Sequence, residues 1–178
     1  MAPAIHAAKG NSLVALATKD SEKAKKFLAL SNTMNIHNDY NDLLENSNVD
    51  AVYIPLPNHL HIEWAMRCLK AGKHVLCEKP ISMVAEEIDG LIELRDRTRL
   101  LAAEAYMVIH HPQWQLAKEF VNSGKLGKLV QIDGVFSYNN ADDPKNIRNQ
   151  AQYGGGGIPD IGVYPYGLSR FVTGLEPS

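Results

Sequence analysis

Several classes of protein are excluded by what this sequence lacks. No apolar run approaches the ~20 residues that a bilayer-spanning helix needs, and the first residues show neither the basic start nor the apolar stretch of a secretory leader. No basic excess exists either: eighteen Lys and Arg stand against twenty Asp and Glu, a formal net charge of −2, so the electrostatic footprint of a nucleic-acid binder is missing. Cysteine is scarce. Cys68 and Cys77 are the only two in 178 residues, too few for a disulfide framework and not at zinc-ligand spacing. These absences predict a cytoplasmic chain with reduced, packed thiols, no metal, no membrane and no nucleic-acid partner.

What is present is a core. With 45% apolar residues the chain can bury one large domain, or one and a half small ones. The most informative stretch is 51–80, AVYIPLPNHLHIEWAMRCLKAGKHVLCEKP. An apolar run at 51–56 ends in Pro-Leu-Pro-Asn-His. Ile62, Ala65, Met66 and Leu69 then recur at helical spacing, and a second apolar run at 74–77 ends in Glu78-Lys79-Pro80. This is a strand, a crossover helix and a strand, the unit of a buried parallel sheet. Ligands of such sheets sit at the carboxyl ends of the strands, so Asn58-His59-His61 and Glu78-Lys79 are expected near each other at one rim.

Lys79 ends a buried strand. An isolated ammonium there is costly, so it must pair, neutralise or point at a ligand. Glu78 is the nearest partner, although neighbours on an extended strand face opposite ways. A structural ion pair and a ligand site both remain open. Pro80 removes a donor and can fix a tight, even cis, turn. By residue type alone His59, His61 and His74 read as capping or surface histidines, with no convergent ligands for a metal.

Earlier in the chain, 1–8 reads as a helix and 12–17 as a strand, with Asp20 positioned to cap a helix over 21–30. At the end of that strand stand Thr18 and Lys19. In dinucleotide folds an acidic residue there grips a ribose 2′-hydroxyl, whereas a small residue and a cation leave room for a 2′-phosphate. Thr18 and Lys19 fit the second case, which predicts NADP, with NAD as the alternative; an ordinary solvated Lys is the plainer reading. Ile36 marks a short strand and 40–46 a short helix. Beyond the central unit, 82–97 reads as a helix and 100–106 as a strand.

Pro112 opens a further helix that Gly124 closes. His110, His111 and Trp114 at its start are either a packing hinge or a pocket wall. Residues 129–138 alternate, Val130, Ile132, Phe136 and Tyr138 against Gln131, Asp133 and Ser137, which predicts a strand opening a second sheet. The loop 139–153 carries Arg148 as an isolated cation, on a solvated or a substrate-side segment. Glycines 154–157 then lead into a helix from Pro159-Asp160. Their late position argues for close backbone packing over a phosphate cradle. Asp160 and Tyr164, four apart, share one helix face, as a cap with a core tyrosine or as a carboxylate and phenol presented together.

The motifs PNHLH, AGKHVLCEKP, Glu-Ala-Tyr-Met at 104–107, HHPQW at 110–114 and GGGGIPDIGVYP at 154–165 together resemble the Gfo/Idh/MocA oxidoreductases, from near Met1 to Thr173. Tyr at position 164 resembles the glucose-fructose oxidoreductase, xylose dehydrogenase and dihydrodiol dehydrogenase branch; much of the family has His there. The resemblance implies an α/β fold: a Rossmann-like NAD(P)-binding domain over 1–107, then over 108–178 the start of a substrate and oligomerisation domain with an open, mostly antiparallel sheet. Against the family pattern the first strand and its glycine-rich turn are absent, with no GxGxxG anywhere, and the chain stops at 174–178 where another strand would begin. The sequence is therefore expected to be an internal piece of an enzyme roughly twice as long.

What the resemblance implies for function is hydride transfer between a nicotinamide cofactor and a secondary alcohol or carbonyl of a sugar or cyclic polyol, in a homo-oligomer. Pro55, Leu56, Asn58, His61 and Glu78 would contact the cofactor, Glu78 at a ribose hydroxyl. Lys79 would touch both cofactor and the reacting oxygen. Tyr164 would move the proton, its pKa lowered by Lys79, and Asp160 would fix a neighbouring hydroxyl. His110, His111, Trp114 and Arg148 would lie on the substrate side. The alternative is a sugar- or cofactor-binding regulatory homologue without turnover, or an inactive fragment.

Overall fold

In the computed structural model, which describes residues 1–31 and 33–176, the central unit forms as its apolar pattern requires. Strand β4 (His74–Cys77) lies between β3 (Ala51–Ile54) and β5 (Ala102–Glu104), all parallel, with Ile54 opposite Cys77 and Cys77 opposite Glu104. The register brings Pro55, Glu78 and Ala105 out together at one rim. Strand β3 ends two residues before the predicted 56 because Pro55 has no N–H to give the ladder.

Helices α4 (His61–Lys70) and α5 (Glu86–Thr98) cover this sheet and touch each other. Ala65, Cys68 and Leu69 from α4 and Leu91 and Leu94 from α5 meet Ile54, Val75 and Cys77 in one buried cluster. Both thiols are free and buried. Burial pushes Cys68 up to about 11 and, helped by the charges of Glu104 and Glu78, Cys77 up to about 12, so each stays protonated. Helix α5 begins at Glu86, not Ser82, because the Ser82 hydroxyl accepts from Val84 N at 3.0 Å and donates to the Glu87 carboxylate at 2.6 Å. That local bonding holds 82–84 in a turn.

Toward the amino end, α1 (Ala2–Ala7) precedes a separate two-stranded parallel sheet of β1 (Ala15–Ala17) and β2 (Asn35–His37). The Asp20 carboxylate caps α2 (Ser21–Leu28) by accepting from Glu22 N and Lys23 N, and Asp39 caps α3 (Tyr40–Glu45). No ladder joins β1 to β3 among the described residues. Toward the carboxyl end, α6 (Pro112–Asn122) packs against α7 (Val163–Thr173), which follows a π-type turn at Ile158–Gly162. The last two residues of the predicted 108–178 unit lie outside the described ones.

The strand predicted at 129–138 does not form. Among the described residues this segment has no ladder partner, and Val130 and Val135 are 89% and 91% exposed. Alternation marks two faces, but a strand exists only where a second backbone accepts its hydrogen bonds. The antiparallel sheet expected to open there is accordingly not part of this structure. No described helix is long and apolar enough to cross a membrane.

His61, the first residue of α4, is fully buried and acts as a strut between strand ends. It is hydrogen-bonded through Nδ1 to the Pro80 carbonyl oxygen at 2.6 Å and through Nε2 to the Leu56 carbonyl oxygen at 2.7 Å. Replacing it by alanine removes the ring that donates to a strand-end carbonyl and opens a void. We expect His61→Ala to cost about 3 kcal/mol of stability in urea unfolding. A midpoint unchanged from the parent would show that the strut carries no load.

Candidate active site

The rim of the sheet places its polar residues in a fixed order. Tyr53, one residue before the end of β3, donates its hydroxyl to Glu78 Oε1 at 2.6 Å, and Glu78 Oε2 accepts from Lys79 N at 3.3 Å. Glu78 is thereby held beside its own strand, and burial together with the Glu78 carboxylate pushes the Tyr53 phenol well above its ordinary range. Lys79 points the other way, as successive strand positions do. Its ammonium donates to the carbonyl oxygen of Asp160 and lies 3.3 Å from the Asp160 carboxylate, with only 14% and 15% of the two side chains exposed. The Lys79–Pro80 peptide is cis, within the tight turn that Pro80 predicts.

Asp160 gathers donors from three other places in the chain. Besides Lys79 it accepts from the Tyr138 hydroxyl and, at 3.3 Å, from Arg148 Nε. Burial pushes its carboxyl up, but the Tyr138 hydrogen bond and the Lys79 and Arg148 charges outweigh that and hold it below the usual carboxylate range. Four residues on, Tyr164 lies with its ring under the Lys79 ammonium, 5.0 Å from the centroid. Its phenol is raised, by burial first and then by the negative charges of Glu78 and Asp160, with Arg148 opposing. The expectation that Lys79 lowers this pKa is therefore corrected. Lys79 meets the ring face, not the oxygen, and its charge is already matched by Asp160.

Tyr106 holds this arrangement from behind. Its hydroxyl lies 2.9 Å from the Val163 carbonyl oxygen and 3.1 Å from that of Tyr164, and its ring stacks on Tyr164 with centroids 5.7 Å apart. Gly167 makes room for it, since a Cβ there would fall 2.5 Å from the Tyr106 oxygen. Burial and the neighbouring Tyr164 push the Tyr106 phenol up to about 12, so it remains a donor.

These residues enclose a cavity of about 620 Å³, walled by Pro55 and Leu56 on one side and Tyr138, Arg148 and Tyr153 on the other. Asn58 ties the two sides by donating Nδ2 to the Gly154 carbonyl oxygen at 2.9 Å. The glycines allow this closeness: a Cβ on Gly154 would meet Asn58 Cβ at 2.9 Å, and one on Gly155 would meet Ile147 O at 2.5 Å. Close packing is thus what the run provides.

Of the residues named from sequence, Pro55, Leu56, Asn58, His61, Glu78, Lys79, Arg148, Asp160 and Tyr164 line this one cavity. Others lie elsewhere. Thr18 accepts from Asp20 N at 3.1 Å and Lys19 sits 5.8 Å over the Tyr40 ring, both at the end of β1. His111 caps α6 by accepting from Gln113 N at 3.2 Å, and neither it, His110 nor Trp114 reaches the cavity lining. Sequence reasoning missed Tyr53, Tyr106 and Tyr138 as site residues. Tyr106 stands inside a quoted motif and Tyr138 ends the alternating segment, but neither position declares a partner.

The lining suits the nicotinamide-ribose half of a dinucleotide. Pro55 and Leu56 offer an apolar wall, Glu78 a carboxylate for a ribose hydroxyl, and Lys79 a cation at the far edge. Among the described residues no group of His, Cys, Asp and Glu side chains is arranged to hold a metal ion.

A parallel sheet with its polar cluster at the carboxyl strand ends is the arrangement in which open α/β folds bind their ligands. Residues 1–106 match the "Oxidoreductase family, NAD-binding Rossmann fold" and residues 114–178 the "GFO/IDH/MocA C-terminal domain", so the chain belongs to the Gfo/Idh/MocA oxidoreductase family. It is 43% identical to an uncharacterized oxidoreductase of Rhizobium meliloti, over 98% of this chain and 52% of that protein. It is 37% identical to the dTDP-3,4-didehydro-2,6-dideoxy-alpha-D-glucose 3-reductase of Saccharopolyspora spinosa, over 98% of this chain and 52% of the other. Among solved structures it is similar to KijD10, a 3-ketoreductase from Actinomadura kijaniata in complex with NADP and TDP-benzene, with a TM-score of 0.82 at 33% identity, covering 96% of this chain and 52% of that one. The chain spans about half the length of the curated relatives it matches.

Proposed function

We propose that this chain carries the reaction site of an NADP-linked oxidoreductase that interconverts a ketone and a secondary alcohol on a sugar-type substrate. The convergence of Lys79, Asp160 and Tyr164 at one end of the cavity, from a strand end and a helix start 81 residues apart, carries this reading. Residues 1–107 would hold the cofactor and 108–178 the substrate side, with Tyr106 joining the two. For the cofactor, Thr18 and Lys19 support NADP over NAD. The carboxylate next to them, Asp20, is occupied at the N-terminus of α2, which leaves none to grip a 2′-hydroxyl.

The nicotinamide, when bound, supplies or takes the hydride. In the reducing direction Lys79 donates a hydrogen bond to the carbonyl oxygen and stabilises the negative charge that develops on it. Tyr164 gives its phenolic proton to that oxygen, and the product is the neutral alcohol; the reverse reaction returns the proton. A raised phenol suits the acid role, since it stays protonated at neutral pH until the substrate takes the proton. Asp160 holds Lys79 in place and accepts from a neighbouring substrate hydroxyl.

The test is a fluorescence titration of NADPH against NADH, followed by NADPH oxidation assays on a panel of keto-sugars, free and nucleotide-linked. Tighter NADPH binding with oxidation of at least one keto-sugar is expected. Tight cofactor binding with no carbonyl substrate turned over would sink the reading in favour of a binding homologue.

A further inference from the structure

Of the two carboxylates that line the cavity, Asp160 takes both cations, Lys79 and Arg148, and among the described residues no basic side chain pairs with Glu78. What holds Glu78 is a phenol. Tyr53 stands opposite Leu76 in the register of β3 and β4, and Glu78 N donates to the Ile54 carbonyl oxygen at 3.0 Å, so extended pairing continues one residue past β4. Side chains two apart on a strand share a face, which puts Glu78 on the Tyr53 face and diagonally ahead of it. A long side chain can cross that diagonal. The Tyr53 hydroxyl does so and donates to Glu78 Oε1 at 2.6 Å, while Ile54, the next residue, turns into the core.

The bond leaves Glu78 free to accept more. A carboxylate has about four acceptor positions. Tyr53 takes one and Lys79 N, at 3.3 Å, takes another, so capacity remains for the hydroxyls of a molecule in the cavity that both residues line. An unbraced glutamate would surrender its side-chain freedom on binding; this one is ordered by the fold beforehand. Burial and the Glu78 charge raise the Tyr53 phenol, which keeps it a donor at neutral pH.

We infer that Tyr53 is a positioning residue for the cofactor, presetting the Glu78 carboxylate for the ribose hydroxyls on the nicotinamide side of the dinucleotide. The inference rests on the proposed function, which puts that ribose beside Glu78.

NADPH is titrated by fluorescence into the intact parent, Tyr53→Phe, Glu78→Ala and the double variant. Adenosine 2′,5′-bisphosphate, which has neither the nicotinamide nor its ribose, is titrated into each by calorimetry. Tyr53→Phe keeps the ring and loses only the hydroxyl. It should bind NADPH about three- to tenfold more weakly, with bisphosphate affinity and the unfolding midpoint little changed. In the Glu78→Ala background the same change should cost less than about twofold, since no carboxylate is left to position. Should Glu78→Ala fail to fold, the single Tyr53→Phe variant with its two ligands decides. NADPH affinity unchanged in Tyr53→Phe would overturn the inference. So would a joint loss of both ligands and of thermal stability, which would make the phenol a structural tie, or an equal NADPH loss with and without Glu78, which would put the hydroxyl on the cofactor itself. A parent that binds neither NADPH nor NADH would remove the proposed function and this inference together. One that binds NADPH through Tyr53 and Glu78 yet turns over no keto-sugar would lose the proposed reaction and keep the positioning role.

Discussion

Under the proposed function, replacing Lys79 by alanine is expected to lower kcat for ketone reduction about a thousandfold, with NADPH affinity changed far less. The size follows from where the ammonium stands. It is mostly covered, its charge little screened, and it lines the cavity between Asp160 and the Tyr164 ring. Charge that grows on a substrate oxygen in such a place meets a preorganised donor, and removing one donor of that kind costs roughly 3–4 kcal/mol in the transition state. The fold should survive the change, because Asp160 keeps Tyr138 and Arg148 as partners and is not left as a bare buried charge. Lys79→Arg should recover little, since a planar fork does not fill the space of a point cation. Steady-state kinetics with a keto-sugar beside an NADPH titration make the comparison. A kcat within a few-fold of the parent would reduce Lys79 to a structural ion-pair partner of Asp160.

For Tyr164→Phe the expected loss is about a hundredfold to a thousandfold in kcat, the range of a positioned general acid. Phenylalanine keeps the stack on Tyr106 and the ring under Lys79, so only the proton is removed. The pH profile gives the sharper test. Burial and the charges of Glu78 and Asp160 disfavour the phenolate, which raises the Tyr164 pKa. The acid form therefore dominates at and above neutral pH, and reduction should decline only as pH rises through the raised value. In Tyr164→Phe that alkaline limb should vanish along with the rate. An alkaline limb unchanged in the variant would place the titrating group elsewhere.

Much of this site is legible in the sequence, and the reason is local. Strand, helix and strand at 51–80 follow from the spacing of apolar residues, and once a parallel sheet is implied, its carboxyl ends gather Pro55, Asn58, Glu78 and Lys79 with no further information. The Asp20 cap, the tight Pro80 turn and the close packing at Gly154 and Gly155 are likewise properties of a few neighbouring residues.

The opposite side of the cavity was not legible to the same degree. Tyr138 and Arg148 sit 22 and 12 residues from Asp160, one at the end of an alternating stretch and one in a loop, and Tyr106 meets Tyr164 across 58. The alternation at 129–138 misled for a related reason: it specifies two faces and says nothing of whether another backbone is present to pair with. His61 shows the same division within one residue. Its position in the motif places it at the rim, yet the Leu56 and Pro80 carbonyls take both ring nitrogens and turn it into a strut. The sequence alone determined which residues gather at the carboxyl ends of the parallel strands, because period and strand end are encoded locally. Which carboxylate each cation meets, and that Tyr164 is raised and not lowered, was decided only by the packing of distant segments, since Coulomb energies depend on distances that no spacing in the chain contains.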